Sequence, residues 1–236
     1  MILDRHRFFI LVFLVFTSIT TLHAQSFWFG PKIGPGLNFQ FWDQYNRQAL
    51  IAPNFSLFIE SYSEEKPSSF YAQVGYHSRG SSILTANIFS GINSQQAVRF
   101  NNLVLEVGGK KLLTSDKKFK PYYLLGLRLE YNVKNNLESF DRFQSFFYPN
   151  KQFIQKLVYG VSFGGGFNTR FSDFIGADIE LVLTPDFSFQ YIQPMIPNVR
   201  NPFTGQNQTL REQSIRNYGL EIRFVMRFLR QVIYVD

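Results

Sequence analysis

The sequence predicts an all-β protein, an eight-stranded antiparallel up-and-down transmembrane β-barrel. Apolar and polar residues alternate along eight stretches, short and long connections follow each other in turn, and the chain begins with an apolar export signal. The alternation is clearest in residues 218–228, where one face has no charge and the other has Glu221, Arg223 and Arg227. Successive side chains of a strand point to opposite faces, so this pattern indicates a β-strand.

Residues 1–24 are predicted to be a secretory signal peptide. Arg5 and Arg7 precede the apolar run 8–16, and Ala24 is the small residue expected before a cleavage site. The alternative, an N-terminal membrane anchor, needs about 20 apolar residues, and this run is shorter. We therefore expect the mature chain to start at Gln25, with the barrel at residues 25–229 and a periplasmic tail at residues 230–236.

The same alternation predicts the earlier strands at residues 28–39, 51–62, 70–83, 98–113, 121–134, 153–171 and 175–184. Short turns are expected near residues 64–67, 114–118 and 172–173. Long loops are expected near residues 40–50, 84–97, 135–152 and 185–214. A barrel in the outer membrane has short periplasmic turns and long external loops. Because the number of strands is even, both termini are expected in the periplasm.

The inward and outward faces are assigned from their small residues. Alternation alone also fits a soluble barrel with its apolar face inside, which is the alternative. However, Gly34, Gly36, Gly160, Gly164 and Gly166 lie on the polar face, where a narrow lumen favours small side chains. This favours the membrane barrel, with its apolar face towards lipid.

Composition limits the partners and cofactors. The chain has 24 Lys and Arg, 17 Asp and Glu, and no Cys, so disulfides and thiolate metal ligands are excluded. We see no cofactor motif and no cluster with metal-ligand spacing. An exported chain without a Lys or Arg block is not expected to bind nucleic acid. Its positive charge instead suits the anionic headgroups of lipids, including lipopolysaccharide.

Charged residues on the inward faces are expected to fill the barrel. An eight-stranded barrel is just wide enough to be filled by side chains, so these charges should pair into a plug. A conducting or proton-relay path is the alternative. The predicted lumen network consists of Lys32, Glu60, His77, Arg79, Glu106, Lys110, Arg128, Glu130, Lys156, Arg170, Asp178, Glu180, Glu221, Arg223 and Arg227.

The longest loop and the tail are the predicted contact regions. The loop 185–211 is rich in proline and apolar residues, and such loops mark either a partner surface or a self-packed cap. Its candidate partner-binding residues are Phe187, Phe189, Tyr191, Met195, Ile196 and Phe203. The tail contains an apolar β-prone run that can add to a partner's sheet, made of Val232, Ile233, Tyr234 and Val235.

Short motifs connect the chain to a known family. They are Ala24-Gln25 at the end of the signal, residues 29–38 (FGPKIGPGLN) and residues 218–224 (YGLEIRF). With them the chain resembles small outer-membrane β-barrels of the OmpA/OmpX-like superfamily, and more narrowly the PorT-like group. The resemblance covers essentially the whole mature chain. One departure is the tail, because typical barrels end on an aromatic residue whereas this chain continues past Phe228.

With its wall against lipid and its lumen filled, the protein is expected to act as a non-enzymatic subunit or docking platform of a larger envelope complex. Some relatives belong to the type IX protein secretion machinery, and residues 75–80 are similar to them, so this assembly is favoured. Two other functions stay open. One is a narrow channel or receptor for small solutes. The other is a lipid-modifying enzyme, with His77 as a base near Ser81 or Ser82.

Overall fold

The computed structural model describes residues 26–42, 47–63, 65–86, 93–113, 118–141, 146, 148–201 and 204–231. The predicted signal peptide, residues 1–24, lies outside these ranges. In the part of the chain that is described, no helix has the length and apolar character needed to cross a membrane.

The chain is built almost entirely from strands. The first seven are β1 (Phe27–Gln40), β2 (Arg47–Ser61), β3 (Ser68–Ala86), β4 (Asn93–Leu112), β5 (Lys120–Asn135), β6 (Leu157–Arg170) and β7 (Ile175–Leu183). A short helix α1 (Glu138–Asp141) and a 3-10 turn (Lys151–Phe153) lie between β5 and β6. Four short strands and one long strand follow: β8 (Tyr191–Gln193), β9 (Ile196–Arg200), β10 (Asn207–Leu210), β11 (Gln213–Ile215) and β12 (Asn217–Arg230).

Strands β1 to β7 and β12 form a closed antiparallel barrel, which confirms the predicted fold class. The ring closes where β1 pairs with β12, from Phe27 opposite Arg230 to Gln40 opposite Asn217. The end of the barrel where β2 joins β3, β4 joins β5 and β6 joins β7 is called the turn end. The start of β1 and the end of β12 lie there too, and the opposite end is called the loop end.

The outer surface of the barrel is apolar. Along β5 exposed and buried residues alternate, and the exposed ones include Leu125, Leu127 and Leu129. Equivalent positions on other strands expose Ile51 and Leu181. A continuous apolar surface of this extent is unfavourable in water and favourable against lipid tails. The strands are also as long as or longer than the 9–11 residues that a tilted membrane strand needs.

Aromatic residues ring the apolar surface at both ends. At the turn end the rings of Phe29 and Phe228 lie 5.9 Å apart, across the seam between β1 and β12. At the loop end Phe41 and Tyr218 make an edge-on contact at 5.6 Å. Aromatic girdles at the two membrane interfaces are typical of transmembrane barrels.

Glycines on the inner face make room for large lumen side chains. A Cβ on Gly126 would lie 2.5 Å from Oη of Tyr71 and 3.2 Å from Oε1 of Glu106. The barrel is so narrow that the Tyr71 ring crosses the space above β5. The inward Gly pattern in the sequence therefore reflects crowding in the lumen.

The loop end is closed by a cap, which consists of the described residues in 136–156 and 184–216 together with Trp42. Its core is an apolar cluster of buried residues that β4 completes from the barrel wall. The cluster consists of Trp42, Val98, Phe100, Leu137, Tyr191 and Ile215.

The connections differ from the prediction in two ways. The expected long loop 185–214 contains four short strands, in which β8 pairs with β11 and β9 pairs with β10. The predicted long loops 40–50 and 84–97 are shorter than expected, because β1 to β4 extend into them and residues 41–46 and 87–92 remain between the strands. Neither stretch has the alternation of a strand with one apolar face, because these ends lie beyond the apolar band.

We expect a charge on the lipid face to destabilise the barrel. Leu127 lies midway along β5 and is 68% exposed. In the variant Leu127→Arg a guanidinium replaces an apolar side chain near the bilayer midplane, which costs about 2–4 kcal/mol. The urea midpoint in lipid vesicles should fall accordingly.

Thr209→Arg is the matched control, because Thr209 is exposed on β10 in the cap. Its midpoint should equal that of the parent. Equal midpoints for both variants would show that the exposed face of β5 is not in contact with lipid.

Candidate functional site in the barrel interior

Most of the predicted lumen residues are buried inside the barrel. They lie on inward positions of the barrel strands, as the period-2 alternation requires. These buried residues are Lys32, Glu60, His77, Arg79, Glu106, Lys110, Arg128, Glu130, Asp178, Glu180, Glu221, Arg223 and Arg227.

The layer nearest the turn end joins two bases to two acids. Lys110 Nζ lies 2.6 Å from Oδ2 of Asp178 and 3.3 Å from Oε2 of Glu60. Arg227 reaches the same two carboxylates at 3.3 and 3.4 Å. Each carboxylate therefore has two cationic partners, which offsets the cost of removing the charges from water.

The middle layer spans the barrel. Lys32 on β1 pairs with Glu180 on β7 at 3.1 Å. Arg223 contacts Glu221 at 2.8 Å and Glu106, on the far wall, at 3.3 Å. Strands that are distant in sequence are thus joined across the lumen rather than only around its wall.

The layer nearest the loop end is built on two arginines. Arg79, fully buried, binds Glu130 at 2.8 Å and Glu221 at 2.7 Å. Arg128 binds Glu130 at 2.7 Å and Asp186 at 2.5 Å. A guanidinium can serve several acceptors in one plane, and this explains why arginine occupies both positions.

Tyrosines complete the inner network. Tyr71 donates a hydrogen bond of 2.7 Å to Glu106, and Tyr122 donates one of 2.9 Å to Glu180. The ammonium of Lys110 also lies 3.8 Å from the centre of the Tyr122 ring. Both tyrosines face inward as the alternation predicts, but their hydrogen bonds depend on strands far away in sequence.

Asp186 is a member of the network that the sequence analysis missed. It lies just after β7, opposite Gly160, and accepts hydrogen bonds from Arg128 and Asn217. The sequence predicts a loop from residue 185 onwards, which places Asp186 outside the barrel. The signal in the sequence is its position, three residues after the end of β7 at Leu183.

The buried charges do not balance unless one group holds a further proton. Among the described residues, seven buried Asp and Glu face six buried Lys and Arg, and His77. Burial raises the pKa of Asp186 to about 6, although the Arg128 guanidinium acts to lower it. Protonation of Asp186 makes the interior neutral.

His77 also forms part of a Ser-His-Glu arrangement. Its Nε2 lies 2.8 Å from Oγ of Ser56, and its Nδ1 lies 3.3 Å from Oε1 of Glu221. This order of nucleophile, base and orienting acid is that of hydrolytic triads. The predicted partners Ser81 and Ser82 are buried closer to the loop end, and no hydrogen bond to His77 is observed for either of them among the described contacts.

The space beside this arrangement is very small. The cavity that Ser56, His77 and Glu221 line has a volume of about 10 Å³, the size of one water molecule. Asn54 Nδ2 and Arg223 Nη1 belong to residues that line it, and both are buried without a hydrogen-bond partner among the described residues. The site can accommodate water but not the acyl group of a lipid.

Two predicted lumen residues lie outside the network. Lys156 precedes β6 and is exposed, and Arg170 ends β6 at the turn end, where it is also exposed. The Arg170 guanidinium packs over the rings of Trp28 and Tyr62 instead. The predicted strand 153–171 is longer than β6 at both ends. The alternation in the sequence therefore continues past the lumen, and it places these two exposed residues on the inward face.

The cap residues divide into buried and exposed groups. Tyr191 is completely buried between Trp42 and Phe153, so its prediction as an exposed partner anchor is wrong. Burial raises the pKa of Tyr191 to about 12, and its hydroxyl donates to Gln193 and accepts from the Asn150 N–H. Tyr191 stabilises the cap because its ring packs against other aromatic rings and its hydroxyl group has hydrogen-bond partners.

The other predicted contact residues are more accessible. Phe187 and Met195 are exposed, whereas Ile196 is half-buried against Val199 and Leu210. Phe189 is half-buried beneath the Arg216 guanidinium. Phe203 and the tail residues Val232, Ile233, Tyr234 and Val235 lie outside the described residues. The accessible apolar surface of the cap is therefore smaller than the sequence predicts.

Comparisons with known proteins support the architecture. No protein-family model matches the chain. The curated proteins gave no match either. Among solved structures, the outer membrane protein OprG from Pseudomonas aeruginosa is similar at 9% identity and a TM-score of 0.54, over 89% of this chain and 97% of that one. Neisserial surface protein A is similar at 9% identity and a TM-score of 0.47, over 87% and 99% of the two chains.

At this level of identity the likeness shows the fold alone. The closed ring of eight strands and the likeness to OprG define a small barrel of the outer-membrane type. The apolar outer surface places its wall in contact with a lipid bilayer. The narrower PorT-like assignment depends on the sequence motifs only.

We expect Arg128→Leu to destabilise the barrel strongly. Arg128 is buried and shared between Glu130 and Asp186, so its loss leaves two buried carboxylates without a common partner. Removing one member of a buried ion pair costs about 3–5 kcal/mol. The temperature at which the heat-modifiable gel band disappears should fall clearly.

Arg200→Leu is the control, since Arg200 is exposed on β9. Its effect should stay within about 0.5 kcal/mol. An unchanged transition in Arg128→Leu would mean that the lumen charges are solvated rather than paired.

Proposed function

We propose that this protein is a non-enzymatic outer-membrane barrel that acts as a docking subunit of a larger envelope complex. The type IX protein secretion machinery is the favoured assembly, on the basis of the PorT-like sequence resemblance. The observation that carries the proposal is the contrast between a lumen filled with paired charges and a cap with exposed apolar residues. The ends of the barrel are therefore the parts of the protein that can bind a partner.

The filled lumen argues against a solute channel. In the middle of the barrel the pair Arg223–Glu106 joins opposite walls, and the pair Lys32–Glu180 joins β1 to β7 across β12. A solute would have to separate buried pairs, each of which costs several kcal/mol to break. Planar-bilayer conductance distinguishes the channel from the docking subunit, and we favour a barrel without conductance.

The geometry around His77 gives little support to a lipid-modifying enzyme. Ser56, His77 and Glu221 have the order of a triad, but the adjoining cavity holds no more than a water molecule. A nucleophile needs space for the reacting carbonyl about 3 Å away. We therefore assign these three residues to the structural network of the lumen.

The cap offers a defined contact surface. Phe187 is 55% exposed, Met195 is 66% exposed and Ile192 lies between them in sequence with partial exposure. Ile192 follows the buried Tyr191 in β8, and the Phe187 N–H is hydrogen-bonded to the Tyr159 carbonyl of β6, so both are carried on ordered backbone. Exposed methionine and aromatic residues are common at protein interfaces. Contact with lipopolysaccharide through the net positive charge is a further element of the proposal.

We propose that the loop end faces outside and the turn end, with both termini, faces the periplasm. The chain has no Cys, so single-Cys variants give a clean labelling signal. Thr209→Cys in the cap should react with a membrane-impermeant maleimide on intact cells, whereas Asp173→Cys at the turn end should not. After cell lysis both should react. Labelling of only Asp173→Cys on intact cells would reverse the orientation.

Substitution of the cap surface should release the partner without unfolding the barrel. In the double variant Phe187→Ser and Met195→Ser, two exposed apolar anchors are lost while Tyr191 and the cap core stay. We expect copurification with envelope proteins in mild detergent to fall about tenfold or more, as expected for interface anchors worth over 1.4 kcal/mol. Heat modifiability should be unchanged.

Phe119→Ser is the matched control, because Phe119 is an exposed aromatic residue at the turn end. It should retain every partner of the parent. If the cap double variant also retains every partner, docking through this surface is excluded. Truncation after Leu229 then tests the tail as the remaining contact region.

A further inference from the structure

The turn end of the barrel opens into a cavity of about 800 Å³, here called the vestibule. Trp28, Glu60 and Arg227 lie among its lining residues, together with the ends of β2, β4 and β6 and the adjoining turns. Its volume is within the range of about 300–1,000 Å³ that is typical of small-molecule sites. It lies at the opposite end from the cap and is independent of the docking surface.

The described lining of the vestibule has an excess of positive charge. Its acids are Glu60 and Glu65, and Glu60 is already neutralised by Lys110 and Arg227. The cationic residues of the lining are Lys66, Lys118, Lys120, Arg170 and Arg227. A concave surface lined by one sign of charge concentrates ligands of the opposite sign.

Arg170 is held in a fixed orientation. Its guanidinium carbon lies 5.4 Å from the centre of the Trp28 ring and 5.2 Å from the centre of the Tyr62 ring. Nη1 is 3.4 Å from Oη of Tyr62, and no described carboxylate lies within ion-pair distance of Arg170. A guanidinium that packs on aromatic faces keeps its planar fork available for a carboxylate or a phosphate.

Arg227 supplies a second, deeper donor. Its two Nη atoms bind Asp178 and Glu60, and its guanidinium packs 4.6 Å from the centre of the Trp28 ring. Its Nε is buried and has no hydrogen-bond partner among the described residues. A buried donor without a partner is costly, so an acceptor at this position is favourable.

We propose that the vestibule is a binding site for an anionic ligand whose carboxylate or phosphate group is bound by Arg170. Lys66, Lys118 and Lys120 attract the ligand to the mouth of the vestibule. Trp28 lies against both arginines, so its emission reports on occupancy. The site goes beyond the proposed docking function, because it lies at the other end of the barrel and uses other residues.

The two tryptophans of the chain make the test specific. Trp28 lies in the vestibule and Trp42 in the cap, so Trp42→Phe leaves the vestibule as the only source of tryptophan emission. We titrate the full chain of this variant in detergent with citrate and with pyrophosphate at constant ionic strength. The emission of Trp28 should change saturably with at least one probe. The preferred probe identifies the group as carboxylate or phosphate.

Arg170→Gln in the same background should weaken the apparent affinity by about tenfold, the size of one charge-assisted contact. Arg170→Lys should also weaken it, because an ammonium has no planar fork. Arg200→Gln in the cap should leave the titration unchanged, and Trp28→Phe, with Trp42 as the reporter, should show no saturable change.

Two results would overturn the proposal. One is the absence of a saturable change with both probes. The other is a titration of Arg170→Gln that matches its parent while the heat-modifiable band is retained. Neither result bears on the cap, so failure here and failure of the docking function are distinguishable.

Discussion

Closure of the backbone hydrogen-bond ring between β1 and β12 is the constraint on which the rest of the structure depends. In the hydrocarbon core no water is present to pair with a free N–H or C=O, so a strand at an open edge would carry unsatisfied groups. The ring removes both edges at once. With eight strands it also fixes a small diameter, and this decides that the interior is filled by side chains.

The narrow interior in turn determines which side chains can be there. Charges removed from water require partners, and the lumen meets this requirement by placing most of its carboxylates between two cations. Arg79 is the clearest case, because it joins Glu130 on β5 to Glu221 on β12. Such contacts connect opposite walls, so they stabilise one register of the ring as well as filling it. The same network encloses His77 and removes the space that catalysis at Ser56 would need.

The alternation of the sequence predicted the faces of the strands because this property is local. Leu127 and Arg128 are neighbours in β5, and a period of two suffices to place one against lipid and the other in the lumen. The pairs could not be predicted, since Lys32 meets Glu180 only after the ring has closed. The predicted positions of the strand ends were also wrong, as the exposed residues Lys156 and Arg170 show. The alternation in the sequence continues beyond the point at which the lumen ends.

The residues that form the core of the cap could not be predicted for a related reason. Its core combines Trp42, Leu137, Tyr191 and Ile215, which come from three separate connections. Tyr191 is buried only because these connections pack together above the barrel. In the sequence it is an aromatic residue of a long loop, which is typical of an exposed partner anchor. Asp186 is similar, since its role depends on Arg128 of β5.

The two ends of the barrel differ in a way that follows from what closes each one. At the loop end the buried amides of Gln40 and Asn217 connect Asp186 of the polar layer to Trp42 of the cap core. At the turn end the connections of β2–β3 and β6–β7 are short, and the last lumen layer, with Arg227, opens into the vestibule. A solute that approaches from the turn end meets the lysines at the mouth of the vestibule first, and then the arginines packed on Trp28, which border the charge network.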